Sequence, residues 1–220
     1  MGNETVQKPN KSVIAVDLDL RRSDSEIVIR SEEIGRFERL KYLKLNGGAL
    51  VGNLANSLTN LSWIFWSHPL PTSNPTNMHL KNVVVLQFLD NDFIDDSNLQ
   101  SFVKMARKLK VISLKDCDKI TRTPNFSECP NLESLNVDHC SNLREIDGSI
   151  GQLKCLTYMK IAYCPRLKNL PEEIGDLEKL EHFTVQQCDG VKRLPESIWK
   201  LKSLREVHFS TGWDVYSANS

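Results

Sequence analysis

The chain has no excess of either charge and no long apolar run. Lysine plus arginine and aspartate plus glutamate number 28 each among 220 residues. That balance excludes bulk electrostatic attraction to nucleic acid or to an acidic membrane surface. Apolar stretches are only a few residues long, so no segment reads as a membrane span. Met1 to Ser12 is polar and carries no apolar block of the signal-peptide kind. Val6 stands where the N-myristoylation pattern needs Ser or Thr. There are six cysteines but no Cys-x-x-Cys, so paired zinc knuckles are not expected. Without a secretion signal a disulfide framework is not expected either, and the sequons at Asn3, Asn10, Asn60 and Asn125 carry no weight. No Ser–His–Asp set, metal cluster or buried carboxylate pair can be placed, because charged residues fall at solvent-facing places. The expectation is a non-enzymatic, cytoplasmic or nucleocytoplasmic chain with no metal and no membrane or nucleic-acid partner.

What is present is a nine-residue phrase that recurs. It reads Leu109-Lys-Val-Ile112-Ser-Leu114-Lys-Asp-Cys117, and returns from Leu132 to Cys140, Leu156 to Cys164 and Leu180 to Cys188. The offsets are 23, 24 and 24 residues. Each copy keeps an apolar residue at its first, fourth and sixth places and cysteine at its ninth. The alternation around the fourth and sixth places marks a short strand with one buried face. A fixed period in the twenties is the mark of a leucine-rich repeat, one strand plus a helical or irregular return. A looser copy starts at Val13, a clean one at Leu40 and further ones at Leu61, Val83 and Leu204, which makes about nine repeats. The fold class is therefore α/β, a curved solenoid with a parallel β-sheet on the concave side and short helical or irregular returns on the convex side. Residues 1–12 read as a flexible tail and 13–220 as the leucine-rich-repeat domain.

The returns carry signals of their own. The stretch from Asp92 to Lys108 predicts a short amphipathic helix with Leu99, Phe102, Val103 and Met105–Ala106 as its apolar side. Ser31 to Phe37 also looks helical. Pro171 and Pro195 sit where a short helical turn would begin, and there a missing N–H costs nothing. The ninth-place cysteine reads as a small buried residue where the chain turns, as Asn does in other repeats. No single repeat can offset its own ordering entropy, so each needs a neighbour to cover its core and its strand edge.

In such a stack the third, fifth and seventh places of the phrase flank the apolar pair and point out from the concave sheet. Tyr42, Trp63, Phe65, Val85, Leu89 and Val111 then form one apolar patch on the early repeats. Patches of this kind mark contacts, and aromatic anchors dominate binding energy. The opposing expectation is that the insertion Pro69–Thr76 folds over the patch. Tyr158, Lys160, His182 and His208 give the later repeats a polar face, suited to specificity or simply solvated.

The phrase Asn60-Leu-Ser-Trp63-Ile-Phe-Trp66-Ser-His-Pro69-Leu70 resembles the signature of plant disease-resistance receptors of the Toll-interleukin-like, nucleotide-binding, leucine-rich-repeat class, with His68 where Tyr is usual. Leu170-Pro-Glu-Glu-Ile-Gly-Asp-Leu177 is similar to the plant intracellular form of the repeat, and the Gly-x-Ile-Pro return of the secreted receptors is absent. The resemblance covers about Val13 to Phe209. It implies a domain that senses a pathogen effector or a guarded host protein, or docks other domains of its receptor. The family also binds ADP or ATP, in a domain this chain lacks. No Gly-x-x-x-x-Gly-Lys-Ser/Thr loop occurs, and Gly47 to Gly52 is followed by Asn53. No cofactor is therefore expected here. The competing expectation is a stand-alone intracellular scaffold for protein–protein interaction.

Overall fold

A computed structural model describes residues 12–21, 26–55 and 57–210. The expected tail, apart from Ser12, and the chain beyond Ser210 lie outside the described residues. The nine phrases become nine strands. They are β1 (Ala15–Asp19), β3 (Tyr42–Asn46), β5 (Trp63–Ser67), β7 (Val85–Leu89), β8 (Val111–Lys115), β9 (Ser134–Asp138), β10 (Tyr158–Ala162), β11 (His182–Gln186) and β12 (Glu206–Ser210). Each covers the third to seventh places of its phrase. They form one parallel sheet in sequence order, and the register is the one the phrase demands. Leu43 faces Ile64, Ile64 faces Leu86, Leu135 faces Met159 and Val137 faces Ile161.

The stack is what buries the core. Leu135, Val137, Ile161 and Val185 are fully buried, as are Ile112, Leu114, Met159 and Phe183. The ends differ, because a terminal coil has a neighbour on one side only. Val16 and Leu18 of β1 are half-buried, and Val207 of β12 is 41% exposed in a column that is closed between its two ends. This is the nearest-neighbour logic of a solenoid.

The convex side is not uniform. The 3₁₀ turns Gly148–Gln152, Glu172–Asp176 and Glu196–Lys200 stack in the last repeats, the latter two entered from Pro171 and Pro195. Helix α2 (Asp96–Met105) occupies the middle. Its Asp95 cap accepts a hydrogen bond from the Asn98 amide, and Leu99, Phe102 and Val103 are buried. Phe102 meets Phe88 with ring centroids 6.0 Å apart.

The first returns depart from expectation. Only Ser31–Ile34 (α1) of the helical-looking stretch is helical. Three returns extend into strands, β2 (Val28–Arg30), β4 (Ala49–Asn53) and β6 (Asn74–Thr76), which pair in parallel as a second sheet. The β-branched content of Ile27-Val-Ile29 favours extended backbone, and Gly47 and Gly48 at positive φ let the chain reverse tightly between β3 and β4. β6 ties the end of the Pro69–Thr76 insertion to this second sheet, and near its start the Leu70 amide donates to the Gly48 carbonyl at 2.8 Å.

Candidate protein-binding surface

Parallel in-register pairing sets Tyr42, Trp63, Val85 and Val111 side by side in one row across β3, β5, β7 and β8. Phe65 lies in the next row, opposite Lys44 and Gln87. The Trp63 ring is 6.3 Å from Tyr42 and 6.2 Å from Phe65, stacked on the latter at 15°. Tyr42 is 49% exposed, whereas Trp63, Phe65, Val85, Leu89 and Val111 are half-buried. The rings are thus partly ordered before any partner arrives, which lowers the side-chain entropy lost on binding.

Farther along the sheet, Tyr158 and His182 are neighbours across β10 and β11, with rings 6.5 Å apart. His182 Nδ1 lies 3.1 Å from Glu206 Oε2. Lys160 is not a free cation. Its Nζ donates to Asp138 Oδ2 at 2.8 Å. Burial alone would raise the Asp138 carboxyl, but hydrogen bonds from Lys160 and His139 overcome it and hold the group below the ordinary range. The same bond lifts the Lys160 ammonium. His208 is exposed on the last strand.

The seventh-place row corrects the expected geometry. Asn46, Ser67, Asp138 and Ala162 are buried rather than outward and Leu89 is half-buried, whereas Asp19 and Lys115 of the same row are exposed as expected. The strand already bends towards the turn here, so these side chains pack against the adjacent strand end. The Ser67 hydroxyl donates to Asn46 Oδ1 at 2.9 Å, inside this ladder.

The row that periodicity did not reveal is the eighth. Gly47, His68, Asp90, Asp116, His139, Tyr163 and Gln187 all adopt left-handed backbone, with φ between 45° and 84°. From His68 to Gln187 the side chains at this place follow one another along the same end of the strands. His68 Nε2 sits 3.3 Å from Asp90 Oδ2, and the His139 and Tyr163 rings stack at 4.2 Å. Glycine and aspartate at this place in three copies were the available signal, since they tolerate positive φ best. His, Tyr and Gln obscured it. Among the described residues no group of His, Cys, Asp and Glu is arranged to hold a metal ion, and no helix is long and apolar enough to cross a membrane.

Comparisons agree with the geometry. Residues 108–216 match the family described as leucine-rich repeat region. The leucine-rich-repeat domain of the type III effector XopL superposes with a TM-score of 0.58 at 16% identity, covering 82% of this chain and 74% of that one. This chain folds as a leucine-rich-repeat domain. A TDR receptor is a looser structural match, with a TM-score of 0.44 at 20% identity over 91% of this chain and 35% of that chain. In sequence, the leucine-rich-repeat domain is 27% identical over 157 residues to TMV resistance protein N of Nicotiana glutinosa. The match takes in 67% of this chain and 13% of that protein. The domain is thus similar to a small part of a much longer relative. Domains of this fold act as surfaces for other proteins.

Proposed function

We propose that this leucine-rich-repeat domain is the recognition part of a plant intracellular immune receptor. On this reading it is non-enzymatic, works in the cytoplasm and binds no cofactor itself. It captures a pathogen effector, a guarded host protein or another domain of its receptor. The observation that carries the reading is the aromatic cluster of Tyr42, Trp63 and Phe65, ordered on the concave sheet of a chain that is similar to TMV resistance protein N. The Trp63–Trp66 phrase supports the same reading from both faces of one strand. Trp66 fills the core while Trp63 faces outward among the concave rings. The few residues that dominate an interface are enriched in Trp and Tyr, and truncating one costs about 2 kcal/mol or more.

The test compares the wild-type domain with Tyr42→Ala and Trp63→Ala/Phe65→Ala as baits in pathogen-challenged plant tissue, with thermal melts to verify folding. Capture of a specific protein should fall at least tenfold with either variant while the melts stay cooperative. Unchanged capture by folded variants would overturn the assignment of the surface. A captured set unrelated to infection would favour a stand-alone scaffold.

A further inference from the structure

The molecule has no net charge, yet its cations are not evenly spread. The segment that follows each strand lies on one flank of the solenoid, and in the last three complete coils it carries Arg144, then Arg166 and Lys168, then Lys192 and Arg193. All five are exposed. They surround two hollows that meet at Gly190. One, of about 450 Å³, is walled by Arg144, Pro165, Arg166 and Lys168. The other, of about 650 Å³, is walled by Lys168, Lys192 and Arg193 together with Leu194 and Pro195. Gly190 is tied to this arrangement, because a Cβ there would lie 2.2 Å from the Leu167 carbonyl oxygen. Only glycine lets the two turns close up and leaves the hollows open between them.

Three of the carboxylates nearby are engaged elsewhere. Glu172 edges the larger hollow, but its oxygens accept from the Ser197 and Glu196 amides of the next turn. Asp147 faces Arg122, and Asp118 accepts from the Ser141 amide. Arg166 donates to the neutral Asn142 side chain at 2.7 Å. Among the described residues, Arg144, Lys168, Lys192 and Arg193 take part in none of the ion pairs found across the rest of the surface. The result is five clustered cations at three successive levels, with strands about 4.8 Å apart.

We propose that this flank is a second docking surface, distinct from the concave sheet, and that it receives an acidic polypeptide segment in extended form. Arg144, Lys168 and Lys192 occupy the same place in consecutive coils, so they make a ladder of positive charge roughly 10 Å long. That length suits three or four extended residues. Arg166 and Arg193 flank the ladder and offer planar, two-pronged contacts to carboxylates. The hollows also supply apolar floor at Pro165, Leu194 and Pro195. Single-stranded nucleic acid would want aromatic platforms for its bases, and neither hollow is lined by an aromatic ring. The proposal does not depend on the immune-receptor reading, nor on the aromatic cluster of the concave face.

Fluorescence anisotropy tests it with a labelled twelve-residue Asp/Glu peptide and the full 220-residue chain. An Asn/Gln peptide of equal length, a twelve-nucleotide oligothymidylate and vesicles with one-third anionic lipid serve as comparison arms. The acidic peptide should bind, and its affinity should fall at least tenfold in R144E/K168E/K192E. It should fall by a similar factor when salt rises from 50 to 300 mM, as contacts between exposed charges must. W63A/F65A should leave it unchanged. Reversal of Lys104, Arg107 and Lys108, which lie at the end of α2, should also leave it unchanged. Equal binding of the Asn/Gln peptide, equal loss with the α2 reversal, or no binding of the acidic peptide would overturn the proposal. Tighter binding of the oligothymidylate or of the vesicles would overturn the assignment to an acidic polypeptide.

Discussion

The Asn91 side-chain amide donates to the Trp66 carbonyl at 3.1 Å, and its Oδ1 accepts from the Phe93 and Ile94 amides. The next four coils place cysteine at the same position. Cys140 and Cys188 reach the equivalent carbonyls, Leu114 and Ile161, at 3.8 and 3.9 Å. The thiol is a weak donor, so what these coils lose in hydrogen bonding is offset by burying a small apolar group.

Protection of these thiols is the first prediction. Cys117 and Cys164 keep their protons because they hydrogen-bond to the Cys140 and Cys188 sulfurs and because they are buried. Burial, with Glu128 close by, pushes Cys129 up to about 11. Only Cys155 is partly accessible. Titration of the native chain with a thiol reagent at pH 8 should show one fast thiol, lost in Cys155→Ser. The other five should react only as the solenoid unfolds. Several fast thiols in the native state would contradict the stack.

Relief of backbone strain is the second. Gln187 holds φ at 52°, and its side-chain oxygen is buried without a hydrogen-bond partner among the described residues. A left-handed residue other than glycine costs about 1 kcal/mol. Gln187→Gly should therefore raise stability by roughly 1 kcal/mol in urea unfolding, against the usual trend for glycine substitutions. Tyr163→Gly, at a similar φ of 53°, should gain less or lose, because Tyr163 also stacks on His139.

The strand layer was legible because the phrase states its own register. An apolar residue at the fourth and sixth places can only stack on the same places of the next coil, and Leu135–Val137 on Met159–Ile161 does so. Three features were less legible. The second sheet depends on three short segments, Val28–Arg30, Ala49–Asn53 and Asn74–Thr76, that share no phrase. Their pairing follows from where β1, β3 and β5 deliver them. The buried seventh place, Asp138 for instance, looks like any polar outward position, since its cover comes from adjoining coils rather than from its own neighbours. The basic flank is assembled from returns 24 residues apart, each carrying only one or two cations, so no single stretch of sequence reads as a charge run.

Close approach between turns gives the third prediction. A Cβ at Gly175 would lie 2.3 Å from the Ser197 Cβ and 2.6 Å from its carbonyl oxygen. Trp199 occupies the same place in the next turn and is 83% exposed, because no described turn packs against it. Gly175→Ala should destabilise the chain by about 1–3 kcal/mol, whereas Trp199→Gly should change stability by less than about 1 kcal/mol. Equal effects in calorimetry would mean that the turns do not stack as described.

The Asp138–Lys160 pair yields the fourth, through its pH dependence. The folded Asp138 carboxyl lies below its ordinary value of 3.8. Its contribution is therefore present above that value and lost as pH falls through the folded value. Lys160 lies above its ordinary 10.5, so its contribution holds below that pH and fades as pH rises through the folded value. Between the two limits, a double-mutant cycle with Asp138→Asn and Lys160→Met should give a coupling of about 1 kcal/mol at pH 7. Methionine keeps much of the aliphatic stem of lysine, so packing is largely held constant. As pH falls through the folded Asp138 value the coupling should shrink towards zero, and the Asp138→Asn variant should show a flatter acid limb than the wild type. A coupling that does not change as the folded Asp138 carboxyl is titrated would show that the two side chains act through packing, not charge.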